Sequence, residues 1–433
     1  MHFRVIYACV ALVVLAAVAS PVASLPQVSV PLPEARRDIL STAKSVLKTH
    51  PAFLGKAQLA TRYWAYAKRL ADGLREPLPF WRLLGDEELV LNYLHDPHTS
   101  LWADYSPFYS PDLLPVGFYW ADGGLVLFRI QDSPTSVRTG DRVLAISGVP
   151  TSGVLLRLRR YVSGNSEWVH ELAGQMLPFG NTLRWLGLAR NGSVKILVEE
   201  PSGATRTLAF GLVPNDGFQD ASYYYSGQAD FIDRFEAPPG LTEPSGRNFY
   251  TYHVGRRYAI FWLTQCDVTA AYERAVNRFF RKVRAAHSRV IVIDLQQNPG
   301  GNSAAGLALM AHLPVRPRYA ASYPLSSDIF HGRLYVLIDN GTMSSGVLIA
   351  EYLTEAGYGV LAGQAAGLAS GAWGNVQPFT TPDGIGYQVS TTFEGPVNGV
   401  ETPTLKPSIP LPVTVRDVQD GVNPVARWLL RLP

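Results

Sequence analysis

The segment "YVLIDNGTMSSGVLIAEYL", residues 335–353, passes from a buried-strand run into a helical repeat, with Thr342, Ser344 and Ser345 at the turn. A serine there can cap the helix by accepting from the free N–H groups of its first turn. It can also stand at the sheet edge as a nucleophile whose oxyanion those N–H groups stabilise. The second role needs a base. Among the histidines, His98 in "HDPHTS" lies just past a helix end, with Asp96 and Thr99 beside it. That position suits a local hydrogen-bonded turn or a general base held by a rigid scaffold. His95 competes for the role, at the helix end where an imidazole meets terminal carbonyls. A third segment, "IDLQQNPGGNSAAG", puts Gly300 and Gly301 between a strand and a helix beginning near Asn302. Paired glycines leave backbone N–H groups open to an anion. The loop has no lysine and no GxxxxGK[ST] pattern, so it suits half an oxyanion hole better than a phosphate cradle.

These residues need a scaffold, and the chain is long enough for two or three domains, at 433 residues with 47% hydrophobic and 17% charged. Residues 34–95 repeat apolar positions at helical spacing. From Leu114 to Val213 the texture becomes short strands with one helix. "VGFYWADGGLVLFRI" turns at Asp122-Gly123-Gly124, and "SVKILVEEPSGATRTLAF" turns at Pro201-Ser202-Gly203. Residues 214–247 are rich in Gly, Pro, Asp and Tyr and read as a linker. From Phe249 strands and helices alternate, which predicts a parallel or mixed α/β layer.

The first residues have the form of an export signal: a basic "MHFR", an apolar run, then small residues before a cut at Leu25. The expected location is therefore periplasmic or secreted, with no membrane span after cleavage. Only Cys266 would remain, so no internal disulfide is expected. A net charge of +3 gives no reason to invoke nucleic acid. No metal or cofactor motif is present.

Taken together, the segments resemble the C-terminal processing (tail-specific) serine peptidases and their tricorn-core relatives. "RVIVIDLQQNPGGNSAAGLALMAHL" resembles the family's Asn-Pro-Gly-Gly signature, and "LIDNGTMSSGVLIAEYLTEAGYGVLAG" its nucleophile segment. "LNYLHDPHTSLW" resembles its "L-x-D-x-H-[ST]" segment, "GDRVLAISGVP" a PDZ strand, and "LKPSIPLPVTVRDVQDGVNPVARWLL" its closing segment. The resemblance implies a crotonase-like α/β core in 248–433, a helical part in 25–112 and a PDZ-like module in 113–213, after a signal peptide in 1–24 and with the linker at 214–247.

It also implies roles. Ser344 is the nucleophile, and the N–H of Ser345 pairs with one from Gly300 or Gly301, Gly300 being favoured. The processing branch activates its serine with a lysine in the turn that here reads "GQAAGLASGAWGN", where no lysine occurs. The tricorn-like branch uses histidine and a distal glutamate, which fall on His98 and Glu401. The expectation is an exported serine endopeptidase or C-terminal processing-type peptidase acting on protein or peptide, without cofactor. The alternative is an inactive relative that binds a hydrophobic ligand or peptide.

Overall fold

The computed structural model describes residues 29–102, 110–130, 133–215, 241, 249–314, 325–327, 329–355, 357–397 and 399–432. The export signal and nearly all of the expected linker lie outside these residues. Among the described residues, no helix is long and apolar enough to cross a membrane.

The core is a six-stranded sheet. Tyr250–Val254 runs antiparallel to Ala259–Leu263, and then Val290–Asp294, Arg333–Ile338, Gly359–Gly363 and Ile409–Pro410 follow in parallel. Strands covered on both faces carry continuous apolar runs. Val290–Asp294 and Ala259–Leu263 are accordingly buried at every position. The helices Ala270–Ala285, Ala304–Met310 and Ser345–Thr354 are the crossovers that parallel pairing demands. A parallel layer brings the loops after successive strands to one edge. The two glycines and the two serines follow neighbouring strands, so they meet there.

The β-rich region is a separate antiparallel sheet in the order Thr205–Gly211, Ser193–Glu199, Arg142–Ile146, Gly124–Phe128, Gly117–Ala121. Both expected hairpins are present, and Asp112–Leu113 pairs with Val213–Pro214 where the chain enters and leaves. The region expected to hold short strands and one helix carries three helices, Thr151–Leu158 and, in residues 164–190, Ser166–Met176 and Gly180–Trp185. Ser166–Met176 lies against the strand Gly117–Ala121, where a Cβ on Gly174 would fall 3.0 Å from the Phe118 carbonyl oxygen.

The N-terminal part packs Leu32–Thr49, Ala57–Gly73 and Phe80–Leu91 around a second core. The third helix ends at Leu91, followed by a 3-10 turn at Asn92–Leu94. The strand Ser100–Leu101 then adds to the long hairpin Ala372–Thr380 and Gly386–Glu394.

Candidate active site

Ser344 sits at the head of the helix Ser345–Thr354 with φ 48 and ψ −125. A non-glycine residue in this left-handed region costs roughly 1–2 kcal/mol, and such strain concentrates at functional turns. The surroundings hold it there. Asp339, buried at the end of its strand, accepts from the Gln297 N–H at 2.9 Å, the Gln297 Nε2 at 2.9 Å and the Gly341 N–H at 3.1 Å. The Thr342 hydroxyl donates to the Leu295 carbonyl at 2.9 Å, and the Met343 N–H donates to the Asn298 carbonyl at 2.8 Å. The turns after two neighbouring strands are thus hydrogen-bonded to each other. Ser344 makes no side-chain capping bond to its helix.

Asn298 organises the facing loop. Its Nδ2 donates to the Leu263 carbonyl at 2.7 Å, and its Oδ1 accepts from the Gly300 N–H at 2.8 Å. The Cys266 thiol lies 3.3 Å from that same oxygen, and burial pushes this thiol up to about 12. Gly300, at φ +103, lies so close to the nucleophile that a Cβ on it would fall 2.5 Å from the Ser344 Cβ and 2.8 Å from the Ser345 nitrogen. Its N–H, favoured from the sequence as an oxyanion donor, is committed to Asn298. The Gly301 N–H and the Ser345 N–H have no hydrogen-bond acceptor among the described residues. The Ser345 hydroxyl donates to the Gly301 carbonyl at 2.6 Å and ties the two segments together.

His98 and Ser344 line one pocket of 280 Å³, with Gly301 and Ser345 also in its wall. His98 arrives there by long-range pairing. Its carbonyl accepts from Gln388 Nε2 at 3.2 Å, and the Ser390 N–H donates to the Thr99 hydroxyl at 3.1 Å. Burial lowers the imidazole below its usual range, opposed by the charge of Asp96 and a backbone hydrogen bond with Trp373. Asp96 is the carboxylate beside it: Oδ1 accepts from the His98 N–H at 3.0 Å and lies 3.8 Å from His98 Nδ1. Its Oδ2 accepts from the Thr99 hydroxyl at 2.7 Å and lies 3.2 Å from His50 Nε2. Burial alone would raise Asp96, but His50, the His98 charge and the Ser390 and Thr99 hydroxyls hold it below its usual range.

Glu401 abuts the pocket wall at Gly371 but does not line the pocket. Its segment runs antiparallel to Ser370, through the bridge between Ser370 and Thr402, and leaves Glu401 exposed against Gly371. It is not among the described residues that line the pocket, and none of the described hydrogen bonds or ion pairs joins it to His98. His95 is exposed and ends its helix at φ 54, also outside the pocket. Two partners escaped the sequence reading. His50 is 46 positions from Asp96 and had no local signal. Asp96 was visible only as a neighbour in the "HDPHTS" turn.

The sequence from 262 to 410 matches the model of peptidase family S41. No curated protein matches the chain. Among solved structures, mature CPAF is similar at 14% identity and TM-score 0.65, over 92% of this chain and 96% of that one. Mature CPAF complexed with lactacystin is similar at 15% identity and the same TM-score, over 92% and 97%. The photosystem II D1 C-terminal processing protease is similar at 15% identity and TM-score 0.43, over 90% and 99%. The likeness to CPAF is one of fold; the family match supports a serine peptidase.

Proposed function

We propose that the protein is an exported serine peptidase in which Ser344 attacks the scissile carbonyl and His98 is the base. The observation that carries this reading is the pocket shared by Ser344, in its strained turn, and His98. His98 takes the Ser344 proton and returns it to the leaving amine. The N–H groups of Gly301 and Ser345 receive the oxyanion, each worth about 3 kcal/mol by comparison with known donors. Asp96 orients His98 and stabilises its charged form, the role the sequence resemblance gave to Glu401. The absence of lysine and arginine from the described pocket lining favours a Ser–His over a Ser–Lys arrangement. The β-rich region is read as PDZ-like, with the strand Gly117–Ala121 as the element that would receive a substrate C-terminus.

A serine-directed fluorophosphonate tests the reading. Wild type should be labelled and Ser344→Ala should not, at unchanged thermal stability. Unlabelled wild type would favour the binding-protein alternative. Parallel assays of Asp96→Asn and Glu401→Gln separate the two acids: the variant that moves the acid limb of the pH profile identifies the carboxylate that faces His98.

A further inference from the structure

The pocket extends well past the nucleophile along one helix. Ser344, Val347, Leu348, Glu351 and Tyr352 all line it. These positions are i, i+3, i+4, i+7 and i+8, one face of a helix. At a rise of 1.5 Å per residue, Glu351 lies about 10 Å along the axis from Ser344. The opposite wall is Leu368, Ala369, Ala372 and Trp373. The pocket therefore has the reacting serine at one end and a carboxyl further along, between walls that mix these apolar side chains with polar groups such as Asn302, Ser303 and Asn375.

That carboxyl is 6% exposed; its Oε1 accepts from the Ser370 hydroxyl, and the Val397 backbone stands beside it. The other carboxylate in the described lining is Glu394, exposed on the hairpin. His98 is the only group of that lining able to carry positive charge.

From this geometry we infer that Glu351 closes a specificity subsite for a basic substrate side chain, lysine or arginine, next to the bond cleaved at Ser344. The inference rests on the peptidase reading. The apolar side chains Val347, Leu348, Leu368 and Trp373 take the methylene stem while the charged head meets Glu351, as amphipathic side chains divide their surfaces elsewhere. Burial first, and then the Glu355 charge, raise the Glu351 carboxyl, while the Ser370 hydroxyl and the Val397 backbone lower it. An arriving cation adds to the lowering side. The groups facing Glu351 are thus Glu355 on its own helix, Ser370 and Val397 on the packed loops, and Glu394 and His98 across the pocket.

The test is a peptide panel carrying lysine, arginine, norleucine or glutamine on either side of the scissile bond, assayed with wild type and Glu351→Gln. On one side of the bond, wild type should favour lysine or arginine over norleucine by about thirtyfold or more in kcat/KM, the lower end for a desolvated charge pair. This ratio should rise with pH as Glu351 ionises. His98 ionisation cancels from it, because both substrates use the same base. Glu351→Gln should collapse the ratio and flatten its pH dependence. If that variant does not fold, the wild-type ratio and its pH dependence still decide. Hydrolysis without preference for a basic residue, or an equal ratio in the variant, would overturn the subsite and leave the peptidase standing. No hydrolysis together with no fluorophosphonate labelling would overturn both.

Discussion

The two halves of the proposed site are built in opposite ways. The nucleophile half is local: Asp294 to Asn302 and Asp339 to Gly346 follow adjacent parallel strands and are bonded to each other by Asp339, Thr342 and Asn298. The base half is assembled from distant chain. His98 lies two residues before the strand Ser100–Leu101, which pairs with Tyr387 and Gln388, and Asp96 beside it is held by His50 from a third segment. The first half has its geometry fixed by backbone turns. The second depends on docking between regions, and its tolerance of change should differ accordingly.

The largest loss expected is Ser344→Ala, a fall in kcat of about a millionfold, as for other triad serines, with unchanged stability by thermal denaturation. Next is Gly300→Ala. Its Cβ would collide with Ser344 and the Ser345 nitrogen at a φ that alanine resists. Activity should fall by about a thousandfold, comparable to losing an oxyanion donor, and the melting temperature should fall with it. Retained activity would show that the loop can move away from the nucleophile.

Asp96→Asn probes the other half. It should lower kcat/KM by roughly 100-fold, the lower end of general acid–base contributions. The sign of its pH effect is informative. The Asp96 charge raises the His98 pKa against burial, so removing it lowers that pKa and moves the acid limb to lower pH. An unmoved limb with reduced activity would make Asp96 a purely structural residue. The smallest effect is Ser345→Ala. It keeps the backbone donor and loses one hydrogen bond to Gly301, worth about 1 kcal/mol, so kcat should fall by no more than about tenfold.

This contrast also explains what could be read from sequence. Ser344, the glycine pair and the alternating strands are short-range patterns, and the structure assembles them at one sheet edge. Gly300 and Gly301 could not be told apart, because the choice depends on where the Asn298 side chain points. Asp96 sat in the quoted turn, but its role needs His50, which no spacing rule connects to it. Glu401 was placed by resemblance alone, and its side chain lies outside the described pocket lining. Glu351 looked like one more helix residue until the fold put its face along the pocket.

The central claim is that His98 activates Ser344, and the pH dependence of fluorophosphonate labelling tests it most directly. Wild type should label with a rate that rises through a single ionisation below about pH 6.5, the ordinary histidine value, because burial lowers His98. His98→Ala should label at least about a thousandfold more slowly and show no such ionisation. Labelling of His98→Ala at the wild-type rate, with the same ionisation, would contradict the account.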